Sequence, residues 1–409
     1  MPINTKIKLG REPSYILKDV DKAGEIALFY GFRPVKTPRI EKTDMEQAMS
    51  FVPSVADALK SVFPRPEEKI ALLRTFLDWN LHNEPLPVML HYKRPVSQLA
   101  VKRQSDERHY CLDIVGSFES VAEAIAIRTA VAILADHGHK KIIVDINSIG
   151  DKYSICQFEK ELINFSRKHG ADMSPEIRQQ LKKDPFDVWR CDHEKWLEIR
   201  KRAPQSLSFL SEQSVEHFQE VLEYLETLEI PYRINPGLIG HRHYCSHTIF
   251  EIKSAPTNEK DTVEETYAVG ARHNYIARRV GFKHDTPMMS VNIVFKKPTI
   301  NPKLFFRGRP QPKFFFIQFG SIAKLKSLSV IETLRQARIP VHHLLTSDKF
   351  VGQLTAAESL KTPFVIIMGQ KEALENTVVV RQMSTRSQEI ISVPDLPFYL
   401  SKLSPASLA

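Results

Sequence analysis

Apolar residues recur at helical spacing in several parts of the chain, and short apolar runs lie between them. The spacing predicts helices over residues 17–31, 67–81 and 121–135. Ser120 and Glu123 have the spacing of a capping box, in which the serine accepts from first-turn amides and the glutamate reaches back. Residues 152–227 are mostly charged helical sequence, and we interpret them as a helical insertion. The apolar runs predict strands over residues 88–92, 109–115, 142–146, 249–251 and 291–295.

Strands and helices alternate regularly from residue 314 onward. The predicted strands cover residues 314–318, 341–345, 364–368 and 378–380, and the predicted helices cover residues 323–337, 351–360 and 395–403. Such alternation is typical of a small α/β domain with a partly parallel sheet. The preceding residues 296–313 contain four prolines and six Lys or Arg and have no structural period. We therefore predict a core over 1–295, a basic linker over 296–313 and a second domain over 314–409.

The composition is that of a soluble globular protein large enough for two or three domains. The 409 residues are 42% hydrophobic and 26% charged, and the formal net charge is +9. No run approaches the roughly 18 apolar residues of a membrane-spanning helix, and we expect neither membrane insertion nor a secretory signal. Four dispersed cysteines without a CxxC pair favour a reducing, cytoplasmic location over a disulfide scaffold. The positive charge is compatible with a polyanionic partner such as nucleic acid.

The second domain carries several short motifs in a fixed order. These motifs are LRQARIPV at 334–341, GQLTAAE at 352–358, PFVIIMGQKE at 363–372, VVVR at 378–381 and TRSQE at 385–389. Together they resemble the anticodon-binding domain of histidyl-tRNA synthetases and their class II relatives. The resemblance implies that this domain contacts tRNA or another RNA.

The first 300 residues resemble the catalytic core of the same family. GFRPVKTPRIE at 31–41 resembles the first class II motif, RPE at 65–67 precedes a helix as in the family, and NSIGD at 147–151 precedes the insertion. The resemblance implies an α+β class II synthetase core, with a mixed, mostly antiparallel sheet and a helical insertion, followed by the C-terminal α/β anticodon-binding-type domain. It also implies a homodimer, because the first motif forms the dimer interface in the family.

The resemblance implies a pocket for histidine and ATP in the core, with Mg²⁺ as the metal cofactor of an active enzyme. Glu67 stands at the carboxylate that holds the substrate's α-ammonium group, and Asp113 retains a second family acid. Arg103 stands at the loop arginine of the second motif. The residues that the resemblance places in this pocket are Glu67, Arg103, His109, Asp113, Tyr244, Arg272 and Lys297.

Several positions of this pocket have lost the family's chemistry. Gly240 stands at the family's α-phosphate arginine, whose loss costs roughly two or three orders of magnitude in rate. Arg242 would substitute for it only if the loop rearranged. Lys69 replaces a threonine, and a cation there would repel the substrate's ammonium group. Lys297 replaces the adenine-stacking arginine and lacks a planar guanidinium. The changed positions are Lys69, Ser97, His109, Gly240, Cys245, Ser290, Val294 and Lys297.

The second motif can be aligned in two ways. When the alignment is anchored on Asp113 and Gly116, the motif arginine becomes Pro95. The motif glutamate then becomes Ser97. A shift of one residue places Arg94 at the arginine but does not restore the glutamate.

The residues therefore favour a synthetase-like protein that binds RNA and whose adenylation site is degenerate. One alternative is an active histidine–tRNA ligase, which would use ATP and Mg²⁺. A second alternative is a regulatory subunit of histidine biosynthesis, a class that resembles the core alone and usually lacks the anticodon domain. Histidine-dependent ATP–pyrophosphate exchange discriminates the first alternative from the degenerate protein.

Two further groups of residues suggest binding chemistry. The alternating His241, His243, Cys245 and His247 would share one face of a strand, but only adjacent members could reach one metal ion. Cys191 and His193 would complete a zinc site only if the fold brought them close. We predict no metal site and interpret the segment as a polar strand that lines a former pocket. The linker cations Lys303, Arg307, Arg309 and Lys313 could follow a phosphate backbone, and we predict RNA contact there.

Overall fold

The chain forms two β-sheets with helices packed against both. The structure is a computed structural model, and it describes residues 21–50, 62–94, 107–170, 173–189, 200–255, 264–296, 313–347 and 349–403. Among these residues, no helix has both the length and the apolar character that crossing a membrane requires.

The first sheet has eight strands in the order β1-β2-β3-β8-β7-β6-β4-β5. The outer pairs β1–β2 and β4–β5 are parallel, and the other neighbours are antiparallel. The strands are β1 (Arg33–Pro34), β2 (Val88–Lys93), β3 (Glu107–Val115), β4 (Ile142–Ser148), β5 (Tyr232–Ile234), β6 (Ser246–Ser254), β7 (Thr266–Arg272) and β8 (Met288–Lys296). This is the mixed, mostly antiparallel sheet that the sequence predicts.

Helices cover the two faces of this sheet. One face packs against α1, α4 and α7, and the other packs against α3 and the helices α5 and α6. Pro66 occupies the first turn of α3, where its missing N–H and fixed φ suit a helix start. The helices are α1 (Lys22–Phe29), α2 (Lys42–Met49), α3 (Pro66–Asp78), α4 (Val121–Asp136), α5 (Lys152–Lys168), α6 (Pro175–Lys183), α7 (Glu212–Thr227) and α8 (Ile276–Arg279).

The second sheet has five strands in the order β10-β9-β11-β12-β13. Strands β10, β9 and β11 are mutually parallel, and β12 and β13 continue the sheet in antiparallel fashion. Its elements are β9 (Phe314–Gln318), α9 (Ser321–Gln336), β10 (Val341–His343), α10 (Phe350–Ser359), β11 (Phe364–Met368), α11 (Gln370–Glu375), β12 (Thr377–Gln382), β13 (Gln388–Ser392) and α12 (Leu396–Leu403). The predicted partly parallel α/β domain is therefore present.

Helix α9 attaches this second sheet to the core. Its apolar side chains belong to the same hydrophobic cluster as those of α1, α4 and α7. The Glu332 carboxylate on α9 accepts from the Tyr30 hydroxyl of the core and pairs with Arg128 of α4 and with Arg335. Burial alone would raise the pKa of Glu332, but these cations hold it at about 2. A charged interdomain contact therefore accompanies the apolar one.

Three local predictions differ from the structure. The predicted capping box is wrong, because the Ser120 side chain makes no capping hydrogen bond and instead donates to Glu220. The Glu123 carboxylate accepts from Arg272 of β7 rather than from the N-terminus of its own helix. Helix α7 lies within the predicted insertion but packs in the core beside α4, because Phe218 and Val221 are buried there. Residues 241–245 form a turn rather than a strand, since the amides of Tyr244 and Cys245 donate to His241.

Candidate functional site

The start of α3 places three consecutive charged residues against the sheet. Glu67, Glu68 and Lys69 are all buried, with exposures of 3%, 0% and 0%. They face the central strands β2, β3 and β8, where polar side chains replace apolar ones at alternate positions. In the register of β3 with β8, Asp113 lies opposite Ser290 and Cys111 lies opposite Asn292. Helix and sheet together therefore form a buried polar layer.

Lys69 and Asp113 form an ion pair at the centre of this layer. The lysine Nζ lies 2.9 Å from Asp113 Oδ1, and both side chains are fully buried. Tyr92 donates to Asp113 Oδ2 at 2.6 Å, and the Ser290 hydroxyl donates to Oδ1. Burial alone would lower the pKa of Lys69, but the Asp113 carboxylate outweighs it and raises the pKa. Lys69 therefore remains an ammonium ion.

Glu68 anchors a second cluster next to this ion pair. Its Oε1 accepts from Arg94 Nε at 2.8 Å and from Arg65 Nε at 2.8 Å. Asn292 donates to the other carboxylate oxygen at 3.4 Å, and Cys111 donates its thiol to Asn292 at 3.1 Å. Burial alone would raise the pKa of Glu68, but the two guanidinium groups lower it. Glu68 is therefore held as an anion.

The charges of the layer balance each other. Its cations are Arg65, Lys69 and Arg94, and its carboxylates are Glu67, Glu68 and Asp113. Buried ions are tolerated when each is paired and hydrogen-bonded, whereas removing one partner leaves an uncompensated charge. A charged ligand that binds to Asp113 or Glu68 would have to displace an internal partner.

Two more of the residues that the family resemblance places in the pocket, Glu67 and Tyr244, also lie on this side of the sheet. Burial raises the pKa of Glu67, whose Oε1 lies 3.3 Å from Arg65 Nη1 and whose Oε2 has no hydrogen-bond partner among the described residues. The Tyr244 ring stacks on His273, with a centroid separation of 5.7 Å. Burial, with Lys69 nearby, lowers the pKa of His273 to about 4. Neutral aromatic side chains therefore flank the charged layer.

The position of the lost α-phosphate arginine has no room for a side chain. An ideal Cβ on Gly240 would lie 2.6 Å from Ile249 Cδ1 and 2.9 Å from Cys245 Cβ. Arg242 does not compensate, because its guanidinium pairs with Glu159 and lies 3.4 Å from Asp184 in the helical insertion. The structure places no arginine at this position.

Arg272 lies on the opposite face of the sheet. The preceding residue Ala271 pairs with Ser290 and therefore lies on the same face of the sheet as Asp113. Because successive side chains of a strand alternate between the two faces, Arg272 points to the other face, toward α4. There its Nε donates to Glu123 Oε1 at 2.7 Å, and its Nη1 donates to the Ser117 carbonyl at 2.7 Å. The structure therefore does not bring Arg272 together with Glu67 and Asp113, and Arg272 instead joins the sheet to α4.

The remaining predicted pocket residues are only partly described. His109 is half-buried on β3 and lies opposite Val294 of β8, beyond the Glu68 cluster. Arg94 directly follows β2 and is largely covered, and its Nη2 also donates to the Phe63 carbonyl at 2.8 Å. The shifted alignment of the second motif places the motif arginine at this residue. Arg103, Lys297, Pro95 and Ser97 lie outside the described residues.

The structure gives the histidine-rich segment no metal-ligating arrangement. His241 stacks on Tyr244, with a centroid separation of 5.3 Å, whereas His247 faces His217 at 5.1 Å. Within the described ranges, no group of three or more His, Cys, Asp or Glu side chains is placed to hold a metal ion. Cys191 and His193 lie outside those ranges.

Sequence reasoning missed the partners that close the layer. Tyr92 donates to the predicted acid Asp113. Glu68, which was not predicted, accepts from Arg65 and from Asn292. A signal was present in the sequence: Ser290 and Asn292 alternate with apolar residues in a strand that is otherwise apolar. Polar residues at alternate positions indicate a polar face, but they do not identify what lies across it.

The second sheet presents a separate candidate interface at the carboxyl ends of its parallel strands. Phe319 follows β9 and Phe350 begins α10, and their rings meet edge to face at 5.5 Å. Phe319 is 39% exposed. Gln318 is fully buried beneath them, and within the part of the chain that the structure describes its Oε1 has no hydrogen-bond partner. The chain leaves β9 and β11 in different directions at this edge, and such crevices bind ligands in α/β sheets. Lys313 lies at the start of β9, whereas Lys303, Arg307 and Arg309 lie outside the described residues.

Comparisons with known proteins agree with both parts of the fold. The sequence profile of the anticodon binding domain matches residues 317–403. Over 387 residues the chain is 25% identical to the histidine–tRNA ligase of Thermosynechococcus vestitus, covering 89% of this chain and 87% of that protein. Over 397 residues it is 26% identical to the histidine–tRNA ligase of Listeria monocytogenes, covering 92% and 91%.

A solved structure supports the same fold. The apo histidyl-tRNA synthetase of Staphylococcus aureus superposes with a TM-score of 0.51 at 20% identity, covering 92% of each chain. At this identity the likeness concerns the fold. The large mixed sheet with its helices therefore has the fold of a class II synthetase core, and the domain that follows it matches the anticodon binding domain.

Proposed function

We propose that this chain, which belongs to the histidyl-tRNA synthetase family, is an RNA-binding protein that does not adenylate histidine. The observation that carries the proposal is the buried Lys69–Asp113 ion pair. The resemblance to the family assigns Asp113 to substrate binding, but here its carboxylate binds the ammonium group of Lys69. The balanced charges around Glu68 support it further. The proposal divides the chain into a core over 1–295, a basic linker over 296–313 and an RNA-binding domain over 314–409.

Catalysis of adenylation requires cations that stabilise the charge developing on the α-phosphate. Arg65 and Arg94, the described arginines of the layer, both pair with Glu68. Gly240 leaves no space for a third arginine, and Arg242 pairs with the insertion. ATP and Mg²⁺ would serve as cofactors only for the alternative, an active histidine–tRNA ligase.

The direct test is histidine-dependent ATP–pyrophosphate exchange by the purified full-length chain in the presence of Mg²⁺. We expect no exchange above a blank without protein, whereas an active histidine–tRNA ligase assayed in parallel exchanges readily. Exchange that requires histidine would contradict the proposal and establish the active-ligase alternative. A protein that exchanges nothing, binds no RNA and copurifies with a transferase would support the regulatory alternative.

The proposed RNA surface is the Phe319–Phe350 edge of the second sheet. Exposed aromatic rings stack with nucleobases, and each stack contributes about 1–3 kcal/mol. The 16-residue helix α9 begins two residues after Phe319, and its first-turn backbone N–H groups, which have no acceptor within the helix, are suited to phosphate. The linker cations Lys303, Arg307, Arg309 and Lys313 would add a salt-dependent contribution.

We expect Phe319→Ala to weaken tRNA binding roughly tenfold, because one stacked base is lost. The measurement is fluorescence anisotropy of labelled tRNA at several salt concentrations. Phe398→Ala is the matched control, since Phe398 is 67% exposed on α12 of the same domain and away from this edge. Equal affinities of the two variants would show that the Phe319 edge does not contact RNA. A homodimer is expected from the first-motif resemblance, and light scattering of the same samples measures it.

A further inference from the structure

Lys69 reaches Asp113 from a different structural element than the other partners of that carboxylate. Tyr92, Asp113 and Ser290 lie on the neighbouring strands β2, β3 and β8, whose backbones are hydrogen-bonded to one another. Lys69 instead enters from α3 across the helix–sheet contact. The sheet residues therefore form a rigid acceptor group, here termed the Asp113 platform and defined as Tyr92, Asp113 and Ser290.

The platform is suited to an organic ammonium ion. Asp113 supplies a negative charge that water does not reach, and Tyr92 and Ser290 hold its two oxygens by donating to them. A buried carboxylate of this kind requires a counter-charge or a proton. The compact ammonium group of Lys69 provides the counter-charge at 2.9 Å.

We propose that Lys69 is an internal ligand: its side chain occupies a site for a primary alkylammonium ion, and this one residue keeps the site closed. The inference rests on the proposed function and specifies how the same site is blocked. The lysine stem fills the path between α3 and the platform, and no other described cation contacts Asp113 within salt-bridge distance. Shortening residue 69 therefore creates a cavity that ends at a buried carboxylate.

The test is thermal unfolding of Lys69→Ala in ethylammonium chloride, compared with sodium chloride at equal ionic strength and pH 8. In sodium chloride we expect the variant to unfold well below the wild type, because Asp113 has lost its counter-charge. Ethylammonium should raise the midpoint with the logarithm of its concentration above the dissociation constant, by roughly 3 °C at ten times that constant, and should not affect the wild type. Tetramethylammonium, which has no N–H donors, should not raise it.

The double variant Lys69→Ala/Asp113→Asn is the control for the platform. It should lose the response to ethylammonium, because the neutral amide attracts no cation. An ethylammonium-specific rise of the midpoint that persists in the double variant, or equal effects of ethylammonium and sodium on the single variant, would overturn the inference.

A second measurement applies if the alanine variant does not fold. The folded wild type is acetylated, and the modified lysines are identified by mass spectrometry. Lys69 should react at least a hundredfold more slowly than Lys42, whose side chain is 90% exposed. Similar rates for the two lysines would overturn the inference. Its failure is distinguishable from failure of the proposed function, because the latter is measured by pyrophosphate exchange and tRNA binding of the wild type.

Discussion

Arg272→Met is expected to lower the free energy of unfolding by about 3–5 kcal/mol, because it leaves a buried carboxylate without its main counter-charge. Arg272 is fully buried, its Nε donates to Glu123 at 2.7 Å, and it also donates to the backbone carbonyls of Ser117 and Glu119. The substitution removes all of these bonds at once. Chemical denaturation of the two proteins at pH 8 measures the difference.

The stability of the Arg272→Met variant should depend on pH in the opposite direction to that of the wild type. Burial alone would raise the pKa of Glu123, but Arg272 and His217 hold it well below its usual range. In the wild type this group therefore contributes stability above the ordinary carboxyl pKa and loses it as the pH falls toward the depressed value. Without Arg272 burial dominates, the pKa of Glu123 rises, and the variant regains part of its stability as the pH falls.

Arg278→Met is the matched control for this prediction. Arg278 is 57% exposed and lies 3.5 Å from Asp285, and such surface pairs contribute about 0–1 kcal/mol. If Arg272→Met lowers the free energy of unfolding no more than Arg278→Met does, the Arg272–Glu123 pair does not hold the sheet to α4.

Gly240→Arg is expected to destabilise the protein without restoring adenylation. The Cβ alone would lie 2.6 Å from Ile249 Cδ1 and 2.9 Å from Cys245 Cβ, so the turn around residue 240 must move. Overpacking of a core typically costs about 1–3 kcal/mol, and burial of an unpaired guanidinium adds to this. We therefore expect a loss of at least about 3 kcal/mol in denaturant unfolding and no histidine-dependent pyrophosphate exchange.

Substitution of Gly240 by alanine tests the steric effect of a side chain without adding the charge of an arginine. Gly240→Ala should cost about 1–3 kcal/mol, whereas Gly170→Ala should be close to neutral, because no atom of the described residues lies within 4 Å of its ideal Cβ. Exchange activity in Gly240→Arg would show that the turn can accept the arginine. It would also identify Gly240 as the principal cause of inactivity.

Strands with continuous apolar runs were predicted well from the sequence. The strand predicted over 314–318 coincides with β9, and that over 364–368 coincides with β11. In contrast, the strands β5, β7 and β13 and the helices α2, α8 and α11 were not predicted. Their residues carry weak local patterns, and pairing or packing with neighbouring elements stabilises them.

The structure brings only some of the residues predicted for the pocket to one side of the sheet. Glu67, Asp113 and Tyr244 lie on the expected side of the sheet, whereas Arg272 lies on the other face. A shift of one position along a strand reverses the direction of its side chain. The resemblance identifies a position in the sequence, and the register of β7 with β8 decides the face.

By itself, the sequence determined the apolar strands, the alternating C-terminal domain and the resemblance to histidyl-tRNA synthetases, because these depend on local periodicity and on motif order. The tertiary structure alone decided how the charges are paired. Lys69 and Asp113 are 44 positions apart in the chain, and Arg272 and Glu123 are 149 positions apart. Electrostatic interaction depends on distance in space and on burial, and no local sequence pattern contains either quantity.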